Sequence, residues 1–329
     1  MKRWLSRHLY LLTLAPVVVL IIFISKDVAR VYQSLEQANQ TIAVARLVTA
    51  TSHLVHELQK ERGMSAGFIG SKGTEFTSQI INQRLLTDIE IKKLKIFMID
   101  NSYNKKTNKA VEQLFSSLGQ LQTIRKQIDF LDIDLPKALR YYTKNNLIIL
   151  DLNGYLASEL EGSNSSSRFL TLYNIAYAKE QAGIERAVLS NVFANGAFTP
   201  ALFTQYIKLV TKQNAYLKST FVVATTQFKK VLGQLLQSKE NREVQRYRDI
   251  AKNSKNEFNV LAKDWFSAAT ARINKLKKTE QTLLEETALY SQKTVSSRRF
   301  IIMSESMILI LIIAIACAVF STLKLRVSQ

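Results

Sequence analysis

Cysteine is almost absent from this chain of 329 residues: Cys317 stands alone in an apolar run near the C-terminus, which excludes an internal disulfide and leaves the rest without thiol chemistry. Proline is scarce as well. Only Pro16, Pro136 and Pro200 occur, and beyond Gly233 there is neither proline nor glycine. A turn-rich β fold is hard to build from such a composition, whereas long uninterrupted helices are favoured, so the chain reads as all-α. Histidine is limited to His8, His53 and His56. His53, His56 and Glu57 share one helical turn, but not with the His-Glu-x-x-His spacing of zinc hydrolases, so no metal and no cofactor is expected. Gly63-x-x-x-Gly67 lacks the lysine and preceding strand of a phosphate loop. With no nucleophile and base at usable spacing either, the chain is not read as an enzyme.

Two long hydrophobic runs are present. Leu9 to Ile24 is apolar except for Thr13 and Pro16 and follows Lys2, Arg3 and Arg7; Met307 to Phe320 is followed by Lys324 and Arg326. With its flanks each run approaches the 20 or so residues that cross a bilayer. Basic residues beside both outer ends place the two termini in the cytoplasm. No small-x-small cleavage site follows Ile24, so the first run is read as an anchor rather than a signal peptide. The expected order is a cytoplasmic N-terminus (1–8), a first transmembrane helix (9–25), an extracytoplasmic domain (26–299), a second transmembrane helix (300–322) and the start of a cytoplasmic linker (323–329). Of the 45 Lys and Arg all but five, and of the 26 Asp and Glu all but Glu305, fall outside these spans and tails. Such a basic region attracts anions. Its lysines are dispersed with little aromatic interleaving, which speaks against nucleic acid as a partner.

Turn signals cut the region between the runs into helices. The first leaves the membrane run and reaches about Phe68, where Gly70-Ser71-Lys72-Gly73 stops it. Others are expected from Glu75 through Leu94 to a stop near Asn101-Ser102-Tyr103-Asn104, over Asn108 to Asp129, and from Asp134 onward with Asp134 as N-cap and Pro136 in the first turn. The stretch Glu161 to Ser167 is the one low-complexity segment, and it divides the domain into halves at about 26–162 and 163–299. The second half continues with Phe169 to Ala194 and Ala201 to about Gln237, then a charged piece, Lys239 to Arg248, read as a short helix or a turn. Ala269, Ile273, Leu276, Glu280, Leu283, Thr287, Tyr290 and Thr294 then follow a coiled-coil spacing that runs into the second span.

One segment occurs twice. Gln59-Lys60-Glu61-Arg62-Gly63-Met64-Ser65-Ala66-Gly67-Phe68 returns 124 residues later as Gly183-Ile184-Glu185-Arg186-Ala187-Val188-Leu189-Ser190, when the Glu-Arg pairs are aligned. Small residues around each arginine, including Gly63, Ser65 and Ser190, make a smooth helix face suited to close approach. An arginine among apolar neighbours needs an anion or a carboxylate, and its planar fork fits a planar oxyanion. A carboxylate from Glu57, Glu61 or Glu185 is the alternative. Recurrence at matching places favours a small anion between Arg62 and Arg186.

These residues resemble the nitrate- and nitrite-sensing domain of bacterial chemoreceptors, membrane-bound signalling enzymes and a soluble antiterminator. Leu58 to Ser65 with Gly73 is similar to the family's first motif, Glu180 to Gly196 to its second, and Trp265 to Ile273 with Leu276 and Glu280 to its third. The resemblance implies two stacked four-helix bundles sharing a long helix, a homodimer, and nitrate or nitrite bound through Arg62, Arg186 and Arg272, with Gly63, Ser65 and Ser190 in support. It implies a two-pass receptor in a bacterial inner membrane, contacting lipid and signalling to a cytoplasmic module or partner, as in a methyl-accepting chemotaxis protein. In that mechanism the three arginines repel until a monovalent anion draws their helices together. A structural or partner-binding helical ectodomain without a small ligand is the alternative from another class.

Overall fold

The computed structural model describes residues 2–101, 103–160, 165–254 and 258–327, with side chains between residues 15 and 322. Among the described residues all regular structure is helical: α1 (Lys2–Gly70), α2 (Thr77–Asp100), α3 (Lys105–Leu118), α4 (Leu121–Asp129), α5 (Leu135–Ser158), α6 (Ser166–Asn195), α7 (Pro200–Val223), α8 (Thr226–Leu236), α9 (Lys239–Asn253) and α10 (Ala262–Val327). The dividing segment 161–164 lies outside the described residues.

The helix ends follow their local chemistry. At the end of α1 the Gly73 N–H donates to the Phe68 carbonyl at 2.8 Å with Gly73 at φ 82, a left-handed stop that suits glycine. Asp134 caps α5 by accepting from the Lys137 N–H at 2.6 Å, with a proline in the first turn. Asn104, Thr199, Thr225 and Ser238 cap α3, α7, α8 and α9 in the same way.

Three expectations are revised. The helix expected over Asn108 to Asp129 is two, α3 ending at Leu118 and the chain restarting at Leu121 after Gly119 and Gln120. The one expected over Ala201 to Gln237 is also two: Ala224 turns extended and Thr225 caps a new helix. The charged piece from Lys239 is a full helix of 15 residues, nucleated by the Ser238 cap and with Val244, Tyr247 and Ala251 buried on one face.

The chain divides into two compact units. One comprises residues 1–43 and 288–329, the other Val44–Thr287. In the first, the run within α10 is long and apolar enough to cross a membrane, and Met307, Ile310, Leu311, Ile315 and Phe320 are exposed. The first six residues of the other predicted span, 9–14, lie outside the described side chains.

The larger unit is organised by three helix segments. Rising along α6 from residue 179 to 186, the partners on α1 rise from Gln59 to Gly63, whereas those on α10 fall from Glu280 to Trp265. The α1 and α6 segments are therefore parallel, and α10 is antiparallel to both. A large core gathers α1, α2, α3, α4 and α5 with parts of α6, α7, α8 and α10. A smaller aromatic-rich core joins Val188, Phe193, Tyr206, Val244, Tyr247 and Trp265 from α6, α7, α9 and α10. The predicted seam of α10 is buried from Ala269 through Leu276, Glu280 and Leu283 to Thr287.

Candidate functional site

The repeated arginines face each other across the parallel pair α1 and α6. A Cβ at Gly183 would lie 2.9 Å from Arg62 Nη2, and one at Gly63 would lie 2.7 Å from Arg186 Nη2, so each glycine makes room for the opposite guanidinium. This is the close approach that both glycines require.

The two arginines are nevertheless in different states. Arg62 is 4% exposed and donates through Nη1 to Glu180 Oε1 and Thr143 Oγ1, and through Nη2 to Glu180 Oε2 at 3.3 Å. Glu180 is fully buried and also accepts from Gln59 Nε2 at 2.7 Å and Asn146 Nδ2 at 3.2 Å. Arg186 remains partly open to solvent; it donates to Thr270 Oγ1 at 2.8 Å and lies 4.4 Å from the centroid of the Phe266 ring. Among the described residues no carboxylate is paired with it. Loss of water, and then the nearby Arg62 charge, lower its pKa to about 10.

The glutamates that precede the two arginines do not answer them. Glu61 is taken by Arg125, whose Nε and Nη2 reach its two oxygens at 2.7 and 2.8 Å while Nη1 reaches Asp88; Tyr142 adds a hydrogen bond at 2.8 Å. Glu185 is taken in the same bidentate manner by Arg248, both contacts at 2.7 Å, with Gln213 at 2.7 Å. Arg125 follows Glu61, and Arg248 follows Glu185, at nearly the same distance in sequence, so the repeat extends to these pairs. Aligning the halves beyond the motif would have revealed them. Glu180 was harder to see, because its partner in the repeat is His56 and the halves differ there.

Arg272 is held in the neighbouring cluster rather than against Arg62. Its Nε donates to Asn241 Oδ1 at 2.9 Å and its Nη1 to Gln213 Oε1 at 2.8 Å. Burial, then the Arg248 charge, lower its pKa to about 10, with Glu185 opposing. Of the three predicted arginines, the structure brings two together and places the third beside Glu185 and Arg248. Gly63 adjoins Arg186; Ser65 donates to Tyr142 Oη at 3.4 Å, and the buried Ser190 Oγ has no hydrogen-bond partner among the described residues.

A second polar cluster lies toward residue 52. Ser52 and Lys179 both donate to the buried Glu280, and Lys277 Nζ sits 3.8 Å from it and 3.2 Å from Ser52 Oγ. Burial would raise the Glu280 pKa, but Lys179 and Lys277 overcome it and hold it at about 2. Glu57 is engaged by Gln83 at 2.6 Å and Lys60 at 2.9 Å. Among the described residues no three His, Cys, Asp or Glu side chains gather as metal ligands.

Comparison with known proteins places these residues in context. The family model described as nitrate and nitrite sensing matches residues 53–288. A nitrate regulatory protein of Klebsiella oxytoca is 23% identical over 254 residues, which is 76% of this chain and 63% of that protein. The structure of the NasR transcription antiterminator superposes with a TM-score of 0.74 at 21% identity, covering 91% of this chain and 84% of that one, a likeness of fold. With the family model spanning most of its length, the chain belongs to the nitrate and nitrite sensing family.

Proposed function

We propose that this chain is a receptor that binds nitrate or nitrite beside Arg186, with Arg62 as the facing wall, and passes the signal along α10. The observation that carries this reading is a guanidinium without a carboxylate, 2.7 Å from the Cβ position of Gly63 on the facing helix. Buried or half-buried cations call for a counter-ion, and a planar fork suits a planar oxyanion. An anion supplies the counter-charge that Arg186 lacks and favours the closer packing of α1, α6 and α10. Arg272, through Gln213 and Asn241, ties α10 to α7 and α9. We read the helices as two four-helix bundles that share α6, with one large core drawing on both halves and a smaller one on the second half alone.

The membrane part of the proposal rests on the exposed apolar run of α10, which lipid would cover. In this reading the chain is a two-pass protein of a bacterial inner membrane, dimeric, with residues 26–299 outside and a signalling module or partner inside. A second reading is favoured by the names of the relatives, a regulatory protein and a transcription antiterminator, and would make this chain part of a soluble regulator. The chain spans less than two thirds of the length of the curated relative, so the output of the whole protein is itself proposed here. A helical ectodomain with no ligand fits less well, because it calls for arginines apart on separate surfaces.

Isothermal titration of the full chain in detergent micelles tests the anion site. Nitrate is expected to bind, and Arg186→Ala to weaken it at least tenfold with unchanged helicity by circular dichroism. Undiminished binding by Arg186→Ala sinks the assignment.

A further inference from the structure

We infer that Glu180 sets the valence of the ligand, by cancelling one of the two facing arginines so that the site holds a single uncompensated positive charge and selects a monoanion over a dianion. This deepens the nitrate or nitrite reading and rests on it.

Arg62 and Arg186 alone would present two positive charges, a match for sulfate as well as for nitrate. Glu180 removes one of them. It cannot leave: it is fully buried, grips both terminal nitrogens of Arg62, and is held on its Oε2 side by Gln59 and Asn146. A weakly basic monoanion has no means to displace a carboxylate satisfied on both oxygens. It can take the other guanidinium, which no carboxylate occupies. Lys179 beside Glu180 does not alter the count, because Glu280 answers it.

The repeat makes the asymmetry visible. In the register that aligns Arg62 with Arg186, Glu180 aligns with His56. A carboxylate at both places would neutralise both arginines and leave no site, and one at neither would leave a doubly charged one. With Glu at one and His at the other, the net charge is one. A dianion at Arg186 would bring a surplus negative charge into a poorly hydrated place beside Glu180, and such an unmatched buried charge is strongly disfavoured.

The test compares nitrate with sulfate at constant ionic strength, by titration of the full chain in micelles. The unaltered chain is expected to bind nitrate and not sulfate; sulfate bound as tightly as nitrate overturns the inference whatever the variants do. Glu180→Gln is expected to gain sulfate binding, raising the sulfate-to-nitrate affinity ratio at least tenfold. Glu180→Asp, which keeps the charge, is expected to leave that ratio near its original value. A ratio unmoved in a folded Glu180→Gln, or moved equally in Glu180→Asp, overturns the inference. Absence of nitrate binding in the unaltered chain is a different failure, that of the anion-site reading itself.

Discussion

Gly63 and Gly67 stand one turn apart in α1 yet give way to different neighbours. A Cβ at Gly63 would meet the tip of the flexible Arg186 side chain, whereas one at Gly67 would lie 2.3 Å from the Phe76 ring, which is pinned by a left-handed backbone at φ 64. An arginine tip can swing aside and a ring in a tight turn cannot. Gly63→Ala is therefore expected to leave the melting temperature unchanged or higher, since alanine favours the helix by up to about 1 kcal/mol, while weakening nitrate binding by moving Arg186. Gly67→Ala is expected to cost about 1–3 kcal/mol of stability through overpacking. Thermal melting with and without nitrate separates the two. The sequence made both glycines visible as breaks in helix propensity, but which neighbour each admits depends on residues more than 100 positions away for Gly63 and only nine for Gly67.

At the scale of elements, α1, α6 and α10 are tied inside the larger unit by groups that dislike burial. Ser52, Lys179, Lys277 and Glu280 meet at one level, with His56 beside the lysines. His56 is lowered to about 4, by burial first and then by Lys179 and Lys277. The unfolded chain then takes up a proton between pH 6.5 and 4 that the folded one refuses, so stability is lost as pH drops across that window. Glu280, lowered to about 2, adds a loss as pH falls through 4.5 toward 2. Urea unfolding should show a midpoint that declines below about pH 6.5, and His56→Gln should shrink the upper part of the decline by on the order of 2 kcal/mol, leaving the share of His53, whose pKa burial also lowers, and the lower part. A profile identical in the variant would refute the role of His56. Glu280 was legible as a polar member of an apolar seam. Its partners Ser52 and Lys179 were not, since they come from two other helices.

For the molecule as a whole, the membrane reading places Cys317 within lipid, and this single cysteine makes the reading testable. It is exposed on α10. In intact membranes Cys317 is expected to resist a water-soluble maleimide and to react once the chain is dissolved in denaturing detergent. Lys212→Cys in a Cys317→Ser background, on an exposed position of α7, is expected to react from outside intact cells. Labelling of Cys317 in sealed membranes, or of residue 212 only after lysis, would favour the soluble regulator instead.

Helicity, the Asp134 cap, the glycine stop of α1 and the pair Arg62 and Arg186 follow from local rules: propensity, glycine and proline punctuation, and a segment that recurs. Those are properties of neighbours in the chain, so they can be read along it. Which carboxylate answers which arginine is a property of helices brought side by side. Glu61 and Glu185 adjoin the arginines in sequence but point to Arg125 and Arg248, while Glu180 reaches Arg62 from another helix. Consecutive residues on a helix face different directions, and only packing assigns them partners. That packing engages Arg272 with Asn241 and Gln213 and leaves Arg186 as the facing arginine without a carboxylate partner among the described residues.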